Sequence, residues 1–231
     1  MKSYEQVVAD LSAMKDEKYR AFNERIVNIP AGTSLGVRTP QQRSYAKKLI
    51  LSDGFDLGDL FDFPDNIFEI RLLKCYAVGY TKMPFAEKVR WIEKCVALMD
   101  GWAVCDLCCS TLKEVKKHRA EFLPEIEKYV DMGTEFSQRF GYVMLLGCYM
   151  EREYLPAAFS LLNKAETRFF YTHMGAAWLI AEILVHFFEE GVAYLKDCPL
   201  DAKTVNKAVQ KARESYRLTY EQKNYLKSLK K

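Results

Sequence analysis

The sequence has no uninterrupted apolar run of the roughly 18 residues that a membrane-spanning helix needs. Its first residues, MKSYEQVVADL, are amphipathic and acidic. They lack the basic segment and the apolar core of a signal peptide. We therefore expect a cytoplasmic protein with no membrane association.

The sequence also lacks the motifs of several enzyme classes: it has no glycine-rich phosphate loop, no G-x-S-x-G and no H-E-x-x-H. His118, His173 and His186 share no metal-ligand spacing, and His173 is best interpreted as a structural histidine that could line a groove. The C-x-x-C of Cys105 and Cys108 has neither the second pair of a zinc site nor the strand–helix context of a redox motif. We therefore interpret the seven cysteines as reduced core residues, and we predict no metal or cofactor.

Alternating β-branched runs are nearly absent, whereas apolar residues recur at i, i+3 and i+4 almost throughout. With 49% hydrophobic and 28% charged residues, the chain has the composition of a folded globular protein. No Gly/Pro/Ser-rich linker interrupts it, so we predict one all-α domain over residues 1–231. DGFDLGDLFDFPDN is expected to be a turn-rich break. The predicted helices are TPQQRSYAKKLI with a Thr39 cap, Ile67–Tyr80, Pro84–Met99, Trp102–Lys117, Glu121–Val130, Glu135–Met150, Pro156–Ala165, Phe169–Glu189, Ala202–Tyr216 and Tyr220–Leu229.

A weak internal repeat indicates how the helices are arranged. Arg71 in RLLKCYAVG and Arg139 in RFGYVMLLG are 68 residues apart, and each is followed eight residues later by glycine. Steps of 34 from Arg71 reach Cys105, Arg139 and His173, each inside an amphipathic segment. A helix-pair repeat of this period is typical of α-solenoids.

Trp102 and Asp106 are four residues apart, so they share one helix face. An indole and a carboxylate placed together attract a cationic, flat, aromatic ligand. In the repeat frame, Trp102, Asp106, Arg139 and Trp178 fall near 60°, 100°, 0° and 140° around their helices, within an arc of about 140°. The alternative is that Asp106 caps or pairs with a neighbour while both tryptophans belong to the core.

Positive charge is concentrated at the C-terminal end. Residues 203–231 contain nine Lys or Arg and two Glu, a balance of +7, so the rest carries −4 of the total +3. This asymmetry favours a polyanionic partner, although a solvated helix face gives the same count. We expect three groups of basic residues to contact phosphates. An i, i+4, i+8 stripe consists of Lys203, Lys207 and Lys211, and Arg213 and Arg217 continue it on an adjacent face. Arg38 and Arg43 lie near the N-terminus.

Five segments, in order along the chain, resemble the HEAT-like-repeat alkylpurine DNA glycosylases of the AlkD-type DNA alkylation repair family. They are GVRTPQQRSYAKKL (Gly36–Leu49), the Trp-x-x-x-Asp of Trp102–Asp106, RFGYVMLL from Arg139, YTHMGAAWLIAE (Tyr171–Glu182) and NKAVQKARESYRLTYEQKNYLKSLKK (Asn206–Lys231). The resemblance implies an α-solenoid of HEAT-like (ARM/HEAT) repeats whose concave basic face holds duplex DNA.

The resemblance also implies roles for the four residues in the arc. Asp106 would be the catalytic carboxylate, Trp102 and Trp178 would pack against the lesion-bearing backbone, and Arg139 would hold a phosphate. Active members excise N3- and N7-alkylated purines without a metal. We therefore expect a DNA N-glycosylase that acts as a monomer on double-stranded, alkylated DNA and associates with the nucleoid when bound.

This chain departs from the family pattern beside those residues. Gly101 stands where active members can carry an aromatic, Ala103 where they can carry an acid, and Gln138 where they can carry a second arginine. The alternative function is therefore a non-catalytic HEAT-like-repeat protein that binds damaged or branched DNA by shape. A third, a scaffold for protein partners, is disfavoured by the basic C-terminal segment.

Overall fold

The computed structural model describes residues 1–27 and 29–231, and in these residues the protein is helical. The described residues contain no strand, only an isolated antiparallel bridge between Lys15 and Val37. Short 3₁₀ helices cover Lys113–Lys117 and Arg152–Tyr154. The α-helices are α1 Tyr4–Ser12, α2 Glu17–Val27, α3 Thr39–Ile50, α4 Leu57–Phe61, α5 Phe68–Tyr80, α6 Phe85–Ala97, α7 Trp102–Cys109, α8 Arg119–Asp131, α9 Glu135–Cys148, α10 Leu155–Leu162, α11 Phe170–His186, α12 Phe188–Asp197, α13 Ala202–Glu214 and α14 Tyr220–Ser228.

The chain forms two compact units, Met1–Lys113 and Glu114–Lys231. In the first, α3 packs on α5 and α5 on α7, while α4 and α6 also contact α5. In the second, α9 packs on α8 and α11, α11 on α12 and α13, and α13 on α14. Alternate helices therefore stack in chain order within each unit, which confirms the predicted all-α, HEAT-like class. The concave basic face and the single domain over residues 1–231 stay predictions.

The repeat positions found in the sequence fall in successive alternate helices. Arg71, Cys105, Arg139 and His173 lie in α5, α7, α9 and α11 respectively, each within the first five residues of its helix. Cys105, Arg139 and His173 are buried, and the Arg71 side chain is 11% exposed. The 34-residue step therefore follows the packed face of each helix.

One predicted helix, Trp102–Lys117, is wrong as a single element. The α7 helix ends at Cys109, and a 3₁₀ turn begins at Lys113. The hydroxyls of Ser110 and Thr111 donate to the carbonyls of Leu107 (2.6 Å) and Cys108 (2.7 Å). These side-chain bonds compete with the backbone bonds that would continue the helix.

The predicted helix Phe169–Glu189 is also divided. It breaks at Phe187, whose backbone leaves the helical region (φ −140°, ψ 67°), and α12 follows. A Cβ at Gly191 would lie 2.9 Å from Leu184 Cδ2, so glycine allows α12 to fold back closely onto α11. The i, i+3, i+4 apolar pattern of the sequence continues through this corner and does not reveal it.

Two smaller details differ from expectation. The residue that caps α3 is Arg38, without a side-chain capping bond, and Thr39 is the first helical residue. The predicted turn-rich break contains the short helix α4, which Asp56 caps by accepting from the Asp59 amide. All seven cysteines are buried, which confirms their assignment to the core.

No helix among the described residues combines the length and the apolar character that crossing a bilayer requires.

Candidate nucleic-acid interface

One face of α7 carries Trp102 and Asp106 at successive turns, and Ser110, the residue that caps the end of the helix, follows one turn later. Trp102 is the first residue of the helix, and it and Asp106 are half-buried. The indole Nε1 donates to the Ile26 carbonyl at 3.3 Å, which anchors the ring at the end of α2. The indole and the carboxylate therefore lie one helical turn apart on a partly solvent-accessible face, the arrangement expected from their spacing.

Two basic residues of α3 lie on aromatic rings of α5, and one of them also reaches the end of α7. Arg43 Nη2 donates to Ser110 Oγ at 2.6 Å, one turn beyond Asp106. The Arg43 guanidinium also lies 5.3 Å from the centre of the Tyr76 ring. Lys47, one turn further along α3, lies 5.1 Å from the Tyr80 ring centre. Sequence reasoning named Arg43 but missed the two tyrosines, which hold these cations through ring contacts.

Arg38 is placed differently from Arg43. Its Nε and Nη2 donate to Asp16 Oδ2 at 3.0 and 2.7 Å, and its guanidinium lies 5.0 Å from the Tyr19 ring centre. The Tyr19 amide and the Arg38 guanidinium hold the pKa of the Asp16 carboxyl below its usual value. A phosphate at Arg38 would therefore compete with this carboxylate.

A buried carboxylate fixes the loop before Arg38. Glu69 accepts hydrogen bonds from Ser34 Oγ and from the amides of Leu35 and Gly36, each at 2.9 Å. Gly36 has φ +80°, and a Cβ there would lie 2.6 Å from Arg20 Cβ. Glycine and the Glu69 carboxylate together fix the path by which the chain enters α3. Sequence reasoning missed Glu69, whose only signal is an acidic residue in the first turn of a largely apolar helix.

Arg139 and Trp178 belong to the second unit. Arg139 is buried, its Nη1 donates to the Tyr171 carbonyl at 3.1 Å, and its guanidinium lies 5.9 Å from the Tyr171 ring centre. Gly175 of α11 lies against Arg139: a Cβ there would be 3.5 Å from its Cγ. Trp178 follows Gly175 by three residues and is half-buried.

The residues that depart from the family pattern have clear structural settings. A Cβ at Gly101 would meet no atom within 4 Å, and its φ of −159° is extended backbone that any residue adopts. Ala103 is buried, so the core occupies the position where an acid could stand. Gln138 is also buried; its Nε2 donates to the carbonyls of Val130 (3.0 Å) and Lys164 (2.9 Å).

The lysine stripe lies on α13. Lys203 is exposed, while Lys207 and Lys211 are half-exposed. The opposite side of the helix is buried, as its Val205, Ala208, Val209 and Ala212 show. Arg213 is half-buried, and its Nε is buried without a hydrogen-bond partner in the described residues. The placement of Arg217 on the same helix is wrong: α13 ends at Glu214, and Arg217 Nη1 lies 3.0 Å from His186 Nε2.

Two lysines of the stripe open onto a pocket of ≈ 490 Å³ between α11 and α13. An exposed aromatic ring, that of Phe170, stands beside them. The pocket combines ammonium groups, amide side chains and aromatic surface, which suits an anionic ligand with a flat ring. The lining residues are Phe170, His173, Met174, Lys203, Asn206, Lys207, Gln210 and Lys230. Sequence reasoning missed Phe170 and Lys230, because the pattern does not show which exposed residues share a pocket.

His173 forms part of this pocket and is a satisfied histidine, as expected. It is buried, and its Nδ1 lies 2.9 Å from Thr204 Oγ1. Burial lowers the pKa of His173, and the charges of Lys203 and Lys207 lower it further, against an opposing effect of Asp201. The imidazole is therefore neutral near pH 7.

The family model described as "DNA alkylation repair enzyme" matches residues 7–216. The chain belongs to this family. The match covers most of both units, so it includes the α7 face, Arg139, Trp178 and the residues that α11 and α13 contribute to the lysine pocket. It assigns the protein to DNA alkylation repair, with DNA as its substrate, and confirms the resemblance seen in the sequence. No curated protein and no solved structure matches the chain.

Three buried thiols form the one group among the described residues whose donor atoms could hold a metal ion. They are Cys75, Cys95 and Cys108, all in the first unit. The sequence predicted no metal site because the C-x-x-C of Cys105 and Cys108 lacks a partner pair. The fold instead gives Cys108 partners from two other helices.

Proposed function

We propose that this family member is a DNA N-glycosylase that removes N3- and N7-alkylated purines from duplex DNA without a metal. The observation that carries the proposal is the Trp102–Asp106 pair, one turn apart on a partly accessible face of α7, in a chain of the DNA alkylation repair family. Asp106 is the catalytic residue in this proposal.

Excision of an alkylated purine requires little acid catalysis from the protein. Alkylation at N3 or N7 makes the purine cationic and a good leaving group, so the base departs with the electrons of the glycosidic bond. Water then bonds to C1′ and releases one proton to solvent. Positive charge develops on the sugar before water adds. A fixed carboxylate about 4 Å away stabilises it by about 4 kcal/mol at an effective dielectric constant of 20.

The aromatic and basic residues have binding roles in this proposal. The Trp102 indole offers its face to the cationic sugar or base. Arg43, Lys203 and Lys207 bind backbone phosphates and hold the duplex without reading its sequence. Arg139 and Trp178 remain candidates for the phosphate and backbone contacts that the family resemblance implies.

The test is excision from a duplex that contains N7-methylguanine. Wild-type protein is expected to form abasic sites faster than the spontaneous rate, and Asp106→Asn is expected to reduce this enhancement by roughly 10³-fold, the rate equivalent of about 4 kcal/mol. Asp100→Asn is the matched control, because Asp100 lies just before α7 and pairs with Arg71 at 3.2 Å. The control variant is expected to retain activity.

The second candidate is a non-catalytic protein that binds damaged or branched DNA by shape. The observation that favours it is the setting of Ala103 and Gln138, which are buried and stand where active members can carry an acid and a second arginine. Tight DNA binding together with abasic-site formation at the spontaneous rate would establish this function in place of the glycosylase.

A further inference from the structure

Three thiols from three different helices meet in the core of the first unit. Cys75 lies in α5, Cys95 in α6 and Cys108 in α7. Each is fully buried, and the three sulfur atoms all lie within 4.8 Å of one another. The packing of α6 and α7 against α5 brings together cysteines that are 20 and 13 residues apart in the sequence.

The separation of the sulfur atoms is suitable for shared coordination. With bonds of about 2.3 Å and angles of about 100–110°, the sulfur ligands of one ion lie about 3.5–3.8 Å apart. The three sulfurs reach this arrangement if each pair approaches by about 1.3 Å or less, a shift that side-chain rotation can supply. Cys105 and Cys109 lie on the same helix as Cys108 and are buried too, but they are not members of the group.

The donor set determines what the site can bind. Among the described residues no histidine or carboxylate joins the three sulfurs, whereas structural zinc takes four ligands. Charge selects further, because an uncompensated charge in the core is costly and the Lys74 ammonium that acts on these thiols is already paired with Asp65. Three thiolates around a divalent ion leave a net negative charge, but around a trivalent ion they leave none. Thiolates also prefer soft ions.

We propose that Cys75, Cys95 and Cys108 form a trithiolate site for one three-coordinate, thiophilic, trivalent ion, with As(III) as its representative. Arsenite reaches the site as uncharged As(OH)₃. Three As–O bonds and three S–H bonds break, and three As–S bonds form. Each thiol proton leaves with a hydroxide as water, so three waters are released and no atom changes oxidation state.

The three sulfur atoms share one site inside the core, with each side chain fully buried. Since the site is fully buried, the ligand enters during local opening of the helices, and binding is slow in the native protein.

The first experiment identifies the coordination. Full-length protein is incubated with arsenite under reducing conditions and examined by native mass spectrometry and X-ray absorption spectroscopy. The expected result is one arsenic per chain with three As–S bonds and no As–O bond. Two As–S bonds, or a retained As–O bond, would overturn the proposal. Binding of Zn²⁺ at equal or higher affinity would overturn the argument from donor number and charge.

The second experiment identifies the residues. Replacing any one of Cys75, Cys95 or Cys108 by Ala is expected to weaken arsenite binding about 100-fold or more, because each linked donor supplies a high effective concentration. Cys105→Ala and Cys109→Ala are the matched controls and are expected to bind as wild type does. Equal loss in the controls would refute the site.

Slow alkylation of the unsubstituted protein identifies the arsenite-binding cysteines without any substitution, so the result does not depend on whether a cysteine variant folds. Bound arsenite is expected to protect Cys75, Cys95 and Cys108 from iodoacetamide, and to leave the labelling of Cys148 and Cys198 in the second unit unchanged. Uniform protection of all seven would mean general stabilisation and would contradict a trithiolate site.

Discussion

Arg43 Nη2 donates a hydrogen bond to Ser110 Oγ across 2.6 Å, and this bond joins α3 to the last turn of the α7 face that carries Asp106. Ser110 also donates to the Leu107 carbonyl, so its hydroxyl serves both helices. The α7 face therefore combines an indole, a carboxylate and a guanidinium within one compact unit. Substitutions on this face and in the lysine pocket therefore test whether both bind DNA.

Nothing lies within 4 Å of the Gly101 Cβ position, so Gly101→Ala is expected to fold as stably as wild type, within about 0.5 kcal/mol. Gly101→Tyr adds an aromatic ring at the same position. Base–aromatic stacking contributes about 1–3 kcal/mol, so we expect affinity for alkylated duplex to rise by about fivefold or more. Chemical denaturation and fluorescence anisotropy measure the two quantities.

The matched control for this substitution is Gly79→Ala. A Cβ at Gly79 would lie 2.1 Å from Thr111 Oγ1, so the control is expected to destabilise the protein by about 1–3 kcal/mol. An unchanged DNA affinity in Gly101→Tyr would remove the α7 N-terminus from the proposed interface.

Lys203→Ala combined with Lys207→Ala is expected to weaken binding to any duplex, because both ammonium groups line the same pocket. If each contacts one phosphate, the slope of log K against log[salt] falls by about 0.9 per lysine. The control is Lys223→Ala combined with Lys227→Ala, which removes the same charge from two lysines of α14 that do not line the pocket. An equal effect of the control would show that net charge alone, and not the pocket, determines affinity.

Gln138→Ala is expected to lower the free energy of unfolding by about 2–3 kcal/mol, because buried groups lose their hydrogen bonds. The amide of Gln138 bonds Val130 O and Lys164 O, and its Oε1 accepts from the Glu166 amide at 2.8 Å. Gln41→Ala, on an exposed face of α3, serves as the comparison and should change stability by about 0.5 kcal/mol at most. Similar losses in both variants would argue against this role of Gln138.

His173 gives the fold a pH dependence of defined sign. Burial and the two lysines lower its pKa in the folded protein, so the unfolded chain binds the proton more tightly. Stability is complete above the ordinary histidine pKa of about 6.5 and falls as the pH drops through that value towards the lower folded pKa. Urea unfolding at several pH values is expected to show this decline in wild type and a smaller one in His173→Asn. The reverse slope would contradict the assigned environment.

Sequence periodicity was sufficient to predict the helical class, most helices and the repeat frame, because amphipathic spacing records which face of each helix is buried. It could not predict the corner at Phe187 or the end of α7 at Cys109. Those depend on a close approach at Gly191 and on hydroxyl bonds from Ser110 and Thr111. Hydrophobic periodicity does not encode contacts of that kind.

The candidate site was predictable to a different degree. The Trp102–Asp106 face follows from a four-residue spacing, which depends on local geometry alone. Arg217 was misplaced because α13 ends three residues before it. Other features depend on contacts between distant segments, which a single sequence does not specify. They are the place of Phe170 and Lys230 in the pocket, the hydrogen bonds of Glu69 to the loop before α3, and the cluster of Cys75, Cys95 and Cys108.

The most direct test of the central proposal is the rate of abasic-site formation in an N7-methylguanine duplex with wild-type protein, Asp106→Asn or no protein. The glycosylase proposal predicts a rate above the spontaneous one for wild type, and a rate close to the spontaneous one for Asp106→Asn, although both proteins bind the duplex. If wild type and Asp106→Asn give equal rates under saturating binding, Asp106 is not catalytic and the proposed mechanism is wrong.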